Sequence, residues 1–98
     1  MKISLNEKFW AIKQEDGTLK IGLHKDYIER LGTIWTLVTR PQRKLVLNTP
    51  FVNVESSKCL GPMRAPITGD IVEWNEAMLE DPIFTPDAHL LIVKPESL

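Results

Sequence analysis

Lys58 and Cys59 stand out chemically, because a primary amine and a thiol sit side by side in a short polar stretch. The amine can be joined to a carboxylate group as an amide, and the thiol can exchange with a disulfide. Phe51, Val52 and Val54 are apolar anchors on one side, Glu55 to Gly61 is small and polar, and Pro66 with Gly69 shapes the return. That arrangement puts Lys58 near an exposed tip, within reach of a modifying enzyme. Nothing near Cys59 in the sequence activates its thiol. His24 and His89 lack ligand spacing to each other or to the cysteine, which favours surface or half-buried roles over zinc binding. Glu7, Glu73, Glu76, Glu80 and Asp81 offer either an acidic docking face or ordinary solvated charge, and Arg40, Arg43 and Lys44 mark an exposed connection around Pro41. No base, nucleophile and oxyanion group can be assembled, and no glycine-rich phosphate loop is present. A carrier or binding module is expected, not an enzyme.

The elements that must hold this lysine read mostly as strands. Phe9 to Lys13, Leu19 to Leu23, Thr33 to Val38, Lys44 to Leu47, Phe51 to Glu55, Asp70 to Trp74 and His89 to Lys94 are short apolar stretches rich in Ile, Val, Thr and Trp, separated by turn residues. Asp16-Gly17 is a two-residue hairpin signal. From His24 to Leu31 the spacing is helical, with Tyr27, Ile28 and Leu31 on one face and Gly32 as the stop. A shorter helix starts after Asn75, a candidate N-cap, and ends before Pro82. Leu31 to Trp35 faintly repeats in Thr68 to Val72, as a duplicated β-unit or by chance. Trp10, Trp35 and Trp74 read as core or cleft walls, since no basic surface interleaves with them. The expected fold is all-β with one or two short helices, a sandwich or flattened barrel in a single domain over residues 1–98.

Composition sets the outer limits. At 98 residues the chain fits one small domain, and 43% hydrophobic with 26% charged residues is ordinary globular usage. Twelve basic against thirteen acidic residues give a net charge of -1, without the field of a nucleic-acid binder. A single cysteine forms no internal disulfide, so a reducing, cytoplasmic setting is expected. No apolar run approaches the roughly 20 residues that span a bilayer, and MKISLNEKFW lacks the apolar segment of a signal peptide. An unprocessed monomer bound to neither membrane nor nucleic acid is expected.

Val54-Glu55-Ser56-Ser57-Lys58, followed by Ala65-Pro66-Ile67-Thr68-Gly69-Asp70-Ile71-Val72-Glu73 and Asn75-Glu76-Ala77, resembles the lipoylation region of the glycine cleavage system H protein family. That family shows V-E-S-x-K and then A-P-x-[ST]-G-x-I-V-E after a gap that fits here without insertion. Weaker similarity runs upstream through Trp10, Gly17, Gly22 and Leu31-Gly32. The A-M-K-M tip of biotin-carrying relatives is absent. The resemblance implies a lipoyl domain of two antiparallel sheets, the barrel-sandwich hybrid type. It also implies lipoate joined to Lys58 as a swinging arm, with Gly69 matching the motif glycine and Glu55 and Ser56 orienting the hairpin for a lipoate ligase or lipoyl transferase. The partners implied are dihydrolipoyl dehydrogenase, glycine decarboxylase and aminomethyltransferase.

Three departures concern that arm. The family's H-E-W becomes Lys8-Phe9-Trp10, replacing a glutamate that helps hold the amine of the loaded arm. Four positions after the lysine, a frequent aspartate of the same cleft is Pro62. Losing both acids leaves a buried cation poorly compensated. The family also continues into C-terminal helices where this sequence stops at Leu98. Lys58-Cys59-Leu60-Gly61-Pro62 is similar instead to the K-x-x-G-P segment of H-like lipoate-binding proteins, which implies a sulfur carrier for a heterodisulfide-reductase-like complex as an alternative. An unlipoylated β-domain for protein interaction or regulation is a second alternative.

Overall fold

The computed structural model describes residues 1–96, and the chain's end at Leu98 lies outside them. In chain order the elements are β1 (Lys2–Ser4), β2 (Phe9–Lys13), β3 (Leu19–Leu23), α1 (Lys25–Leu31), β4 (Ile34–Thr39), β5 (Lys44–Leu45), β6 (Pro50–Ser56), β7 (Leu60–Arg64), β8 (Gly69–Trp74), α2 (Glu76–Glu80) and β9 (His89–Pro95). The strands make a six-stranded sheet, β1-β2-β3-β9-β8-β5, and a three-stranded sheet, β4-β6-β7. Every pairing in both is antiparallel. The two sheets form a sandwich with free edges and do not close into a barrel.

Alternating burial explains the sandwich. In β6, Val52, Val54 and Ser56 point inward while Asn53 and Glu55 face solvent. A register shift between Pro50 and Val52 lets Phe51 turn inward as well, so both Phe51 and Val52 are fully buried. From the larger sheet, Leu19, Ile21, Leu23, Leu91 and Val93 meet them in one continuous core. Each such side chain contributes about 1.5–3 kcal/mol relative to exposure. Phe51 links the sheets through its ring contacts to Phe9 at 6.0 Å and Trp74 at 6.1 Å. Helix α1 closes one end by burying Tyr27 and Leu31, and Gly32 ends it with φ +73°, donating its N–H to the Ile28 carbonyl.

Several expectations change in detail. Trp35 is neither core nor cleft wall: it is 58% exposed, at a register shift in β4 between Ile34 and Thr36 that turns it outward. The β2–β3 connection is longer than the two-residue turn at Asp16-Gly17. Gln14 donates its N–H to the Thr18 carbonyl at 2.8 Å, while Asp16 Oδ1 accepts the Thr18 hydroxyl at 2.6 Å. Asn75 precedes α2 as expected, but its side chain caps nothing there; its Nδ2 donates to the His89 carbonyl at 2.8 Å. The two similar glycine segments are no duplicated unit, since Gly32 closes a helix and Gly69 opens a strand of the other sheet. Two strands lacked a sequence signal. Strand β1 is exposed throughout and is held by pairing to β2 and by Lys2, whose Nζ donates to Asp87 Oδ1 at 3.0 Å and lies over the Trp10 ring. Strand β7 contains Gly61-Pro62, a usual strand breaker, which an edge strand tolerates because one side of its backbone needs no partner.

Candidate functional site

The β6–β7 hairpin turns at Ser57 and Lys58. Ser56 donates its backbone N–H to the Cys59 carbonyl at 2.9 Å, and Glu55 lies opposite Leu60 in the ladder below. Two-residue hairpins usually need positive φ in the turn, yet neither Ser57 nor Lys58 has it. The Ser56 hydroxyl supplies the missing order. Its Oγ accepts the N–H of Cys59 at 3.0 Å and that of Lys58 at 3.4 Å, and donates to the Cys59 carbonyl at 3.2 Å. Ser56 is 7% exposed, so these groups see little competing water. Ser56→Ala is therefore expected to lower stability by about 1 kcal/mol and to loosen the turn, measured by denaturant unfolding and by faster hydrogen exchange of the Lys58 and Cys59 amides.

A second tie holds the tip to the end of α1. Ser57 donates its N–H to the Thr33 carbonyl at 2.8 Å, and Thr33 donates its N–H to Ser57 Oγ at 3.0 Å. Gly32 must approach this turn closely: a Cβ there would lie 2.3 Å from Ser57 Oγ and 3.3 Å from Lys58 Cγ. The absence of a side chain at residue 32 thus makes room for the lysine stem. Beyond that stem the amine is exposed, and no ion pair involves it among the described residues. The base of Lys58 is fixed while its reactive end is free.

Glu55 joins the site as an outward side chain on β6, between Thr36 of β4 and Leu60 of β7. Gly69 does not reach it. That glycine is buried in the larger sheet opposite Leu45 and Pro95, where an added Cβ would fall 2.5 Å from the Lys94 carbonyl oxygen. Cys59 is exposed beside Lys58. His24 Nε2 is 3.0 Å from Ser4 Oγ, whereas His89 is half-buried in β9, its proton affinity lowered by burial and then by Lys20. Among the described residues no three His, Cys, Asp or Glu side chains gather as metal ligands. The acids do not form one face: Glu73 and Glu76 line an open cleft with Arg43 and His89, and Glu7 lines another with Lys8 and Arg64.

Phe9, which by the family resemblance stands where a cleft acid is usual, lies in the core. It is 1% exposed, with Tyr27 at 5.9 Å edge-on and Phe51 at 6.0 Å. Tyr27 is itself 8% exposed, and this burial, aided by Cys59, pushes its hydroxyl up to about 12. Since the raised group favours the neutral form in the fold, its contribution is intact below pH about 10 and is lost as pH rises towards 12. As Tyr27 is the sole tyrosine, ultraviolet titration of tyrosinate should show a midpoint near 12, and a midpoint near 10 would contradict this packing.

A family model described as glycine cleavage H-protein matches residues 2–88. Among curated proteins, the glycine cleavage system H protein of Oceanobacillus iheyensis is 32% identical over 91 residues, which cover 86% of this chain and 71% of that protein. The chain belongs to the glycine cleavage H-protein family. The corresponding protein of a Synechococcus species is 35% identical over 94 residues, covering 89% of this chain and 72% of its own. H protein 3 of Aquifex aeolicus is 31% identical over 99 residues, covering 95% of this chain and 62% of its own. A crystal structure of the H protein from Mycobacterium marinum superposes with a TM-score of 0.76 at 24% identity, over 94% of this chain and 81% of that one, which shows the shared fold. H-family proteins are lipoate carriers and not catalysts, in keeping with a site built around one exposed amine. Gly32, expected as a helix stop, also packs against the Ser57–Lys58 turn, and the Leu31-Gly32 match to the family pattern was the available signal for it.

Proposed function

We propose that this chain is a lipoyl carrier with lipoate amide-linked to Lys58 Nζ. The observation that carries the reading is the contrast at residue 58, an exposed amine on a turn whose backbone Ser56, Ser57 and Thr33 hold in place. The residues present fit the group: the amine is accessible, and the stem lies over Gly32 with no side chain beneath it. Bound there, lipoate supplies a dithiolane that is reduced, loaded and reoxidised at successive partner enzymes. The protein supplies a fixed root and recognisable flanks, and the tether keeps the reacting group at high effective concentration once a partner docks. Glu55, on the outer face beside the turn, is the charged contact proposed for the lipoate ligase or lipoyl transferase.

The names of the relatives support glycine decarboxylase, aminomethyltransferase and dihydrolipoyl dehydrogenase as the other partners. The burial of Phe9 bears on the choice, because neither residue 9 nor Pro62 offers a carboxylate to a cationic load. Sulfur carried on the arm for a heterodisulfide-reductase-like complex makes no such demand, and that is the second reading. Incubating the chain with lipoate, ATP and a lipoate ligase, then with dihydrolipoyl dehydrogenase and NADH, tests the carrier reading. The expected result is gain of one lipoyl mass and of a titratable dithiol in addition to Cys59; no gain of lipoyl mass would overturn it. Loading of the lipoylated chain by glycine decarboxylase and glycine then distinguishes the two partner sets.

A further inference from the structure

We infer that the outward face of the three-stranded sheet is where the lipoate-attaching enzyme docks, with Leu60 and Val38 as its apolar contacts. This rests on Lys58 being the lipoyl attachment point. The register builds that face from two rows across β4, β6 and β7. Thr36, Glu55 and Leu60 form the row directly below the lysine turn, and Val38, Asn53 and Pro62 form the next. All six are exposed while Leu37, Val54 and Met63 between them are buried, as strand alternation requires. Leu60 is 79% exposed and Val38 57%, and both line a shallow groove of about 360 Å³ that also takes in Arg40. Apolar side chains left in water beside a reactive lysine are surface that a partner gains by covering.

Distance chooses the partner. The enzyme that acylates Lys58 must bring its reaction centre to an amine on a four-carbon stem, so its surface has to cover the turn and the row beneath it. Enzymes that act later on the arm meet a dithiolane carried well beyond that stem and are under no such constraint. The edges of this sheet are poor templates for an added strand, since Pro62 gives β7 no N–H to offer and the register shift between Ile34 and Thr36 breaks the edge of β4. A partner therefore packs on the face. Its charge pattern follows as well: Glu55 calls for a cation opposite the first row, and Arg40, whose Nη2 donates to Asn53 Oδ1 at 3.0 Å, calls for an anion further along. The two outer strands lie only about 10 Å apart, so the contact is of the small, transient kind that lets a carrier leave after modification.

The test measures lipoate ligase kinetics on the 98-residue chain, with intact mass reporting attachment. Leu60→Ser is expected to raise KM for the chain about tenfold with kcat unchanged, the size expected for one leucine contact buried on docking. Val38→Ser should act the same way, more weakly. Val72→Ser, at an exposed apolar position on β8 in the other sheet, should change neither constant. Acylation of Lys58 by a small water-soluble N-hydroxysuccinimide ester, followed by peptide mass mapping, should run at the parent's rate in all three variants, because the amine and its turn are untouched. Unchanged KM in Leu60→Ser and Val38→Ser, or an equal rise in Val72→Ser, would overturn the docking face and leave the carrier reading standing. A rise in KM matched by slower acylation with the small ester would overturn it too, by tracing the effect to the turn. A parent chain that gains no lipoyl mass would overturn both readings.

Discussion

Lys58→Arg is expected to abolish lipoyl attachment while leaving the fold intact. Arginine preserves the positive charge and an aliphatic stem, but its guanidinium stays protonated and offers no free amine for amide formation. The turn does not depend on the lysine's terminus: its order comes from the Ser56 hydroxyl and from the two hydrogen bonds between Ser57 and Thr33. An exposed substitution of this kind changes stability by no more than about 0.5 kcal/mol. The variant should unfold at the same denaturant concentration as the parent and show no lipoyl mass after incubation with ligase, lipoate and ATP. Equal modification of parent and variant would place the arm elsewhere.

Phe9→Glu carries the largest expected cost in stability. By sequence resemblance the change restores an acid that other members of the family use to hold a loaded arm. In this chain it removes a ring that is 1% exposed and touches both Tyr27 and Phe51. The loss combines the core burial of an aromatic, about 3–5 kcal/mol on truncation, with the penalty of an unpaired carboxylate in the same space. Small domains hold only about 5–15 kcal/mol in total, so much of the variant should be unfolded at room temperature. A fall of roughly 20 °C or more in Tm is expected, with Phe9→Leu losing far less because it keeps the site apolar. A stable Phe9→Glu variant would show that residue 9 faces a cleft after all.

The contrast between residues 9 and 58 explains how much could be read in advance. The place of Lys58 at an exposed hairpin tip was legible because its setting is local: apolar anchors, a short polar run and a glycine-proline return all lie within one hairpin. Phe9 as a core residue was not, because its neighbours come from α1 and β6, and nothing in Lys8-Phe9-Trp10 states that Tyr27 will fill the space beside it. The same difference separates the strands. Those that read as short apolar stretches bounded by turn residues, from Phe9 to Lys13 and from Leu19 to Leu23, have the bounds expected of them. Strand β7 was hidden by Gly61-Pro62, and β1 by having no buried side to leave a pattern. Trp35 shows the limit from the other side, since a single register shift against β6 reverses the direction its composition suggested. Gly69 fits its motif and serves the packing of the larger sheet, while Gly32, from a weaker part of the resemblance, is the glycine in contact with the lysine turn.

The proposed carrier role depends on one amide bond, at Lys58 Nζ. The 98-residue chain treated with a lipoate ligase, lipoate and ATP, then digested and sequenced by tandem mass spectrometry, locates that bond directly. The predicted result is one lipoyl group, confined to Lys58; a lipoyl group on any other lysine, or on none, would contradict it.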